Sequence, residues 1–328
     1  MKKFFPFYVL FGFVVLLITT SSVLLFQPVT SNQKEIFEIV EGTSISQVSE
    51  DLYDRKIIVS PLLMKSYGLF SGKSKIIQSG EYEILSTDSI VKLVEKFSQG
   101  NIFYRQIRLR EGSTFSELMS LLKENHYLID NLQSNYEEKL IKKLNISHEK
   151  LEGLFFPDTY FYKKNDTYED ILRRAYLKQK INLDKLWKNK RLDLPYTSDY
   201  EALTLASIIE KEGVEKNQIA GVFIRRLKLG MKLQSDPTVI YSLGKDFDGD
   251  IKKADLKMRH PYNTYVQEGL PPSPIGLVSL ESLNASFHPD DSSSLYFVSK
   301  GNGYHKFSDT LEEHNQAVYE YQLIRNGK

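Results

Sequence analysis

From Phe4 to Phe26 the chain carries no charge, and nearly every side chain in that run is apolar. Wound as a helix, a run of about 23 such residues is long enough to cross the hydrocarbon core of a bilayer. No other stretch restricts the fold as much, because these side chains need apolar surroundings along their whole length. A cleaved signal peptide would have a shorter apolar core, about 7–15 residues, ahead of a small-residue cleavage site. Here Ser21-Ser22-Val23 leads into more apolar chain, so an uncleaved transmembrane helix is expected over residues 4–26. Lys2 and Lys3, in a cytoplasmic stub of residues 1–3, set its direction. A single-pass anchor in the cytoplasmic membrane would leave the rest of the chain on the extracytoplasmic side. There it would meet wall polymers, lipids and exported proteins.

Lysine and arginine number 43 and aspartate and glutamate 42 in 328 residues, a formal charge of +1. A general nucleic-acid binder is distinctly basic, so no nucleic-acid partner is expected. The chain has 0 Cys, which excludes disulfides, thiolate catalysis and thiolate metal sites. Its 6 His show no H-E-x-x-H spacing, and no phosphate-cradling loop or G-x-S-x-G turn occurs. No metal and no cofactor are therefore expected. The 20 Tyr and 19 Phe suit either a core with polar handles or a groove that contacts carbohydrate.

Past the apolar run a strand–turn–helix pattern occurs twice. Ile36 to Val40 reads as a strand, Glu41-Gly42-Thr43 turns, and Ser44-x-x-Gln47 opens a helix with Ile45, Val48 and Leu52 on one side. Gln106 to Arg110 alternates like a strand, Glu111-Gly112-Ser113 turns, and Thr114-x-x-Glu117 opens a helix carrying Phe115, Leu118, Leu121 and Leu122. Between them Tyr82 to Ile84 and the amphipathic segment Ser89 to Phe97 form another unit, closed by Gly100. Such units resemble the LysM-like modules of cell-wall proteins; read without that likeness they make a small α+β spacer. The expected class is α+β throughout, with a LysM-like spacer domain over 35–103 and a larger catalytic domain over 104–328.

The segment Leu154 to Tyr162 sets five aromatics around Pro157. It reads as a core strand or packed turn, or as an aromatic wall for a sugar ring. Helical spacing follows from Tyr168, with Ile171, Leu172, Ala175 and Tyr176 on one face.

Ser198-x-x-Glu201 is a capping box, and Ala202, Leu203, Leu205, Ala206, Ile208 and Ile209 form a wide apolar arc behind it. Glu210 and Glu212 fall on opposite flanks of that arc, and the helical wheel does not separate them. Gly213 reads as a C-terminal cap, which places Glu212 at the negative end of the helix dipole beside apolar neighbours. Both effects raise a carboxyl pKa, as a general acid requires. The plain alternative is a surface glutamate in a run of charges. A second helix follows from about Glu215 to Leu229, with Ile219, Val222, Phe223 and Leu227 inward and Arg225 and Arg226 outward or toward a partner. Gln234, Ser235, Asp236 and Thr238 then gather hydrogen-bonding groups ahead of a strand-like run, Val239-Ile240-Tyr241. Farther on, Asn263-Thr264-Tyr265 and the Pro-rich stretch Gly269 to Gly276 form a stiff loop. Ser294 to Phe307 reads as a hairpin, and Leu311 to Ile324 as a closing helix.

ASIIEKE, GVFIRRLKLGMKLQSDPTVIY and HPYNTYVQEGLPPSPIG together resemble the YceG-like family, the MltG-type endolytic murein transglycosylases. The likeness runs over nearly the whole chain. It implies a lyase acting on peptidoglycan glycan strands, cutting the MurNAc–GlcNAc β-1,4 bond to leave 1,6-anhydroMurNAc ends and terminating nascent strands. It implies that Glu212, the second Glu of E-K-E, is catalytic, first as acid and then as base toward the C6 hydroxyl. Gln234, Ser235, Asp236, Thr238, Asn263, Tyr265 and Glu210 are the expected substrate-binding side chains. Peptidoglycan synthases are the expected protein partners, and the Pro-rich loop is expected near the cleft. A muramidase-type hydrolase would need a second carboxylate, for which Asp236 and Glu210 are the candidates. A non-catalytic wall-binding anchor is the other alternative.

Overall fold

The computed structural model describes residues 5–30, 34–132 and 135–323. The stub of residues 1–3, Phe4 of the apolar run and Ile324 of the closing helix lie outside them. The chain forms two compact units: Met1–Gln106 with Phe161–Asn165, and Ile107–Tyr160 with Asp166–Lys328.

The first unit opens with α1 (Phe5–Phe26). Within it the 19 residues Tyr8–Phe26 are long and apolar enough to cross a membrane. Its side chains are apolar on every side and mostly exposed, Leu10, Leu16 and Phe26 among them. Five further elements follow: β1 (Glu35–Ile39), α2 (Ile45–Asp54), α3 (Pro61–Phe70), β2 (Gly80–Ile84) and α4 (Ile90–Gln99). The strands pair antiparallel with Phe37 opposite Tyr82. Period-two alternation puts Phe37, Ile39, Tyr82 and Ile84 into the core, where Val48 and Leu52 of α2 and Leu93 and Phe97 of α4 meet them. The Ser44–Gln47 capping box forms as read. Helix α3 escaped the periodicity argument because Leu62, Leu69 and Phe70 are exposed. Its start signal, Ser60 before Pro61, is nonetheless in the sequence.

The division between the units falls in β3 (Arg105–Arg108) and β4 (Thr159–Tyr162). The second unit holds α5 (Phe115–Lys123), α6 (Tyr136–Leu144), α7 (Tyr168–Lys188), α8 (Asp199–Glu212), α9 (Lys216–Lys228) and α10 (Asp236–Leu243). It ends with α11 (Leu280–Phe287), the hairpin β5 (Tyr296–Ser299) and β6 (His305–Ser308), and α12 (Leu311–Val318). Helix α8 is its centre: every residue from Ala202 to Ile209 is buried, and α7, α9, α10 and α11 pack around it. Ala202, Ala206 and Ser207 let neighbours approach closely, and the Ser207 hydroxyl accepts the Ile275 N–H at 2.9 Å. That bond pins the Pro-rich loop against α8.

Two expectations change here. Val239-Ile240-Tyr241 is not a strand but the middle of α10. Ser235 at its N-cap and Pro237 in its first turn start a helix that outweighs the β preference of Val, Ile and Tyr. Arg226 does not point outward; it is 6% exposed. Of the two readings of the aromatic segment, core packing describes it better than a sugar wall. Phe155 stacks on Phe115 at 5.2 Å, and the Tyr160 hydroxyl donates to the Phe156 carbonyl.

Candidate active site

The capping box at Ser198 sets the phase of α8, and its last residue is Glu212. Gly213 is the C-cap of α8, as the sequence implies, though not in the left-handed conformation common at that position. Its φ of 174° and ψ of −169° are extended backbone that any residue adopts. Glycine is needed there for room: a Cβ would lie 2.5 Å from His305 Cε1. Lys216 takes over the capping work. Its ammonium donates to the carbonyls of Glu210 at 2.9 Å and Ile209 at 3.3 Å.

The two carboxylates that the helical wheel left tied are now separated. Glu210 accepts from the Ser279 N–H at 2.9 Å and hydroxyl at 2.5 Å, and pairs with Lys216 at 3.4 Å. Burial by itself pushes Glu210 up, but Ser279 and Lys216 outweigh it and hold its pKa below the usual carboxylate range. Glu212 pairs with no cation among the described residues. Its Oε1 accepts from the Ser235 hydroxyl. Burial pushes its pKa up to about 7, helped by the nearby Asp236 charge and opposed by Ser235 and Arg226. Some of its surface still opens onto a pocket, as a proton donor to a ligand requires.

That pocket encloses about 400 Å³ and is bordered by Glu212, Arg226, Gln234, Asp236, Tyr265 and His305, among others. Arg226 stands at its inner side. Its guanidinium donates to the Leu295 and Leu233 carbonyls, both at 2.7 Å. The segment before α10 is therefore tied to the segment before β5. Gln234 holds a left-handed φ of 52°, a conformation that costs a non-glycine residue about 1 kcal/mol or more. Its N–H donates to the Thr264 carbonyl at 3.1 Å, and the Ser235 N–H to the Thr264 hydroxyl at 2.9 Å. These bonds hold the turn. The Tyr265 hydroxyl donates to Asp236 at 2.6 Å.

The expected binding residues thus divide. Gln234, Asp236 and Tyr265 border the pocket with Glu212, and Ser235 reaches Glu212 from a buried position. Thr238 and Asn263 are fully buried. The Thr238 hydroxyl donates to the Ser235 carbonyl at 2.7 Å, and the Asn263 amide to the Met258 and Asp255 carbonyls at 2.8 and 3.0 Å. Both hold loops in place. Glu210 faces Ser279 instead of the pocket. Gly269 to Pro272 border a separate depression with Tyr196 and Tyr200. Sequence reasoning missed Arg226, His305 and His314 at the pocket. Nothing local marks the two histidines, which come from the hairpin and the helix after it.

A second buried acid lies in the same unit. Glu152 accepts from the Phe115 N–H at 2.9 Å and the Tyr241 hydroxyl at 3.1 Å. Burial raises its pKa to about 7 against those donors and Lys211.

An acid that is still protonated near neutral pH, beside hydrogen-bonding side chains in an open pocket, can protonate a leaving oxygen. Comparison with known proteins places the chain in a family. The YceG-like family model matches residues 37–320. The chain is 32% identical to the endolytic murein transglycosylase of Bacillus subtilis (strain 168), over 93% of its own length and 90% of that protein's. It is 26% identical to the protein of the same name from Streptococcus pneumoniae serotype 2 (strain D39), over 90% of its length and 60% of the relative's. A crystal structure of a YceG-like protein from Listeria monocytogenes aligns with a TM-score of 0.53 at 30% identity, covering 87% of this chain and 99% of that one. Matched over most of its length by both the family model and these relatives, the chain belongs to the YceG-like family.

Proposed function

We propose that the chain is a membrane-anchored lytic transglycosylase that cuts peptidoglycan glycan strands internally. The observation that carries this reading is Glu212: a carboxyl held near pKa 7 by burial, open to a pocket, in a chain whose relatives are named endolytic murein transglycosylases. Protonated Glu212 donates to the oxygen between N-acetylmuramic acid and N-acetylglucosamine as the bond at the muramic acid C1 breaks. Positive charge builds on that ring. Glu212, now ionised, takes the proton of the C6 hydroxyl of the same sugar as that oxygen attacks C1 and closes a 1,6-anhydro ring, so one carboxyl serves both steps and no water is required. Asp236, Gln234 and Tyr265 supply hydrogen bonds for sugar hydroxyl and acetamido groups.

A hydrolase would need a second carboxylate to form a covalent intermediate or to activate water. Glu210 is engaged by Ser279 and Lys216, which leaves Asp236 for that rival. In the proposed arrangement α1 spans the cytoplasmic membrane, residues 35–103 act as a LysM-like spacer and residues 104–328 work on nascent strands beside the peptidoglycan synthases.

The test is the mass of fragments released from purified glycan. Wild type is expected to leave ends lighter by one water than hydrolysed ends, and Glu212→Gln to release almost none. Hydrated ends would point to the hydrolase, and equal release by both proteins to a non-catalytic anchor.

A further inference from the structure

Two kinds of β-1,4 bond alternate along a glycan strand, and both sugars carry a C6 hydroxyl. Glu212 alone could act at either bond. The sugars differ in one group: muramic acid carries a lactyl ether on O3, on the same ring whose C1 reacts. The carboxyl of that group, or the amide it forms with a peptide, presents a carbonyl oxygen. Reading it takes a donor with a free N–H at the pocket. Arg226 is the one lysine or arginine among the described residues that border the pocket. Its Nε and Nη1 are held by the Leu295 and Leu233 carbonyls, with a longer bond of 3.4 Å from Nη1 to the Lys232 carbonyl. Its Cζ lies 5.2 Å from the centre of the Tyr296 ring. Nη2 bonds no described residue, and the guanidinium pairs with no carboxylate among them, although the residue is 6% exposed. A buried cation without a counter-charge is costly, and the free nitrogen calls for an acceptor that a ligand brings. The guanidinium is near enough to Glu212 for its charge to bear on that carboxyl. Other polar groups at the pocket are engaged: the Tyr265 hydroxyl donates to Asp236, and His305 Nδ1 faces Glu215. Asp236 itself can only accept.

We propose that Arg226 selects muramic acid for cleavage, through a charge-assisted hydrogen bond from Nη2 to the lactyl carbonyl oxygen. The proposal rests on the lytic reading above and names the ring that the site accepts beside Glu212. With the lactyl group on Nη2, the C1 of muramic acid comes to the acid. N-acetylglucosamine in the same place covers the guanidinium and gives Nη2 nothing to bond, so the wrong ring is penalised as well as the right one favoured. The bonds to the Leu295 and Leu233 carbonyls fix the planar fork before substrate arrives, and little side-chain freedom is lost on binding. Strands with and without peptide both qualify, because carboxylate and amide oxygens each accept from a guanidinium, the carboxylate more strongly.

The experiment uses the full chain in detergent on glycan strands freed of peptide, one portion of which has the lactyl carboxyl reduced to an alcohol. Anhydro ends are counted by mass spectrometry. Wild type is expected to cut intact strands about tenfold faster than reduced ones. Arg226→Gln is expected to bring that ratio to within about twofold of one, and Arg226→Lys, which keeps the charge, to leave it in between. A purely structural role for Arg226 would slow both kinds of strand alike and leave the ratio unchanged. Arg226→Lys also carries the comparison if Arg226→Gln fails to fold. A wild-type ratio within about twofold of one overturns the proposal, and so does a ratio that the folded variants leave unchanged. The two readings fail separately. If wild type makes no anhydro ends on intact strands, the lytic reading falls; if it makes them and cuts reduced strands as fast, only the role of Arg226 falls.

Discussion

Glu210 and Glu212 are separated by one residue and end in opposite electrostatic states. Ser279 and Lys216 hold Glu210 ionised, while burial holds Glu212 protonated up to about pH 7. Cleavage that needs protonated Glu212 should fall as pH rises above about 7, which a pH–rate profile reads directly. Ser235 donates to Glu212 and so favours its ionised form; in the same profile Ser235→Ala is expected to move the alkaline limb to higher pH. Glu152 gives a prediction about stability instead. Its pKa of about 7 lies above the ordinary 4.5, so the folded state binds the extra proton. Its contribution is fully present below pH 4.5 and is lost as pH rises through about 7, at most about 3 kcal/mol. Glu152→Gln should flatten the melting temperature across this window and melt no lower than wild type at about pH 8. The helical wheel could not tell Glu210 from Glu212, because the groups that separate them stand elsewhere in the chain. Ser279 lies on the far side of the Pro-rich loop, and no local pattern brings it to α8.

Elements were legible where their signals are local. The capping boxes at Ser44, Thr114 and Ser198 start α2, α5 and α8 where the sequence places them. The hairpin of β5 and β6 was likewise readable from alternation and Gly301-Asn302-Gly303. Helix α10 was not, because β-branched and aromatic residues fill its middle turn and only its first turn carries helix signals. Arg226 was misplaced for a related reason. A cation beside an apolar stripe is usually solvated, and here the Leu233 and Leu295 carbonyls, brought in by other segments, draw it inward. The break between α8 and α9 depends on Lys216, which caps α8 and pairs with Glu210 although both side chains are nearly buried. Lys216→Met should leave Glu210 without its cation and lower stability by about 3 kcal/mol. Denaturant unfolding of the full chain in detergent would read that loss. Gly213→Ala is expected to leave backbone geometry unstrained but to force the buried His305 ring from its place, with slower cleavage and a lower melting temperature from an overpacking cost of about 1–3 kcal/mol.

At the scale of the whole molecule, the apolar run that opened the sequence is a single helix whose side chains stand exposed over most of its length. Membrane fractions washed with alkaline carbonate are expected to retain the full chain. A double variant that places charge in the middle of α1, Leu16→Arg with Leu17→Arg, should be released by the same wash. The end of α1 is firmly joined to the rest of the first unit. Leu25 and Val29 pack on that unit's core, the Val29 N–H donates to the Asp88 carbonyl at 2.7 Å, and the Thr30 N–H to the Ile57 carbonyl at 3.0 Å. Mechanically, that makes the first unit a fitting seated on its post rather than a float on a line. With α1 in the membrane as proposed, rotation of the helix about its axis turns the fitting with it, and the depth of the helix sets the height at which it rides.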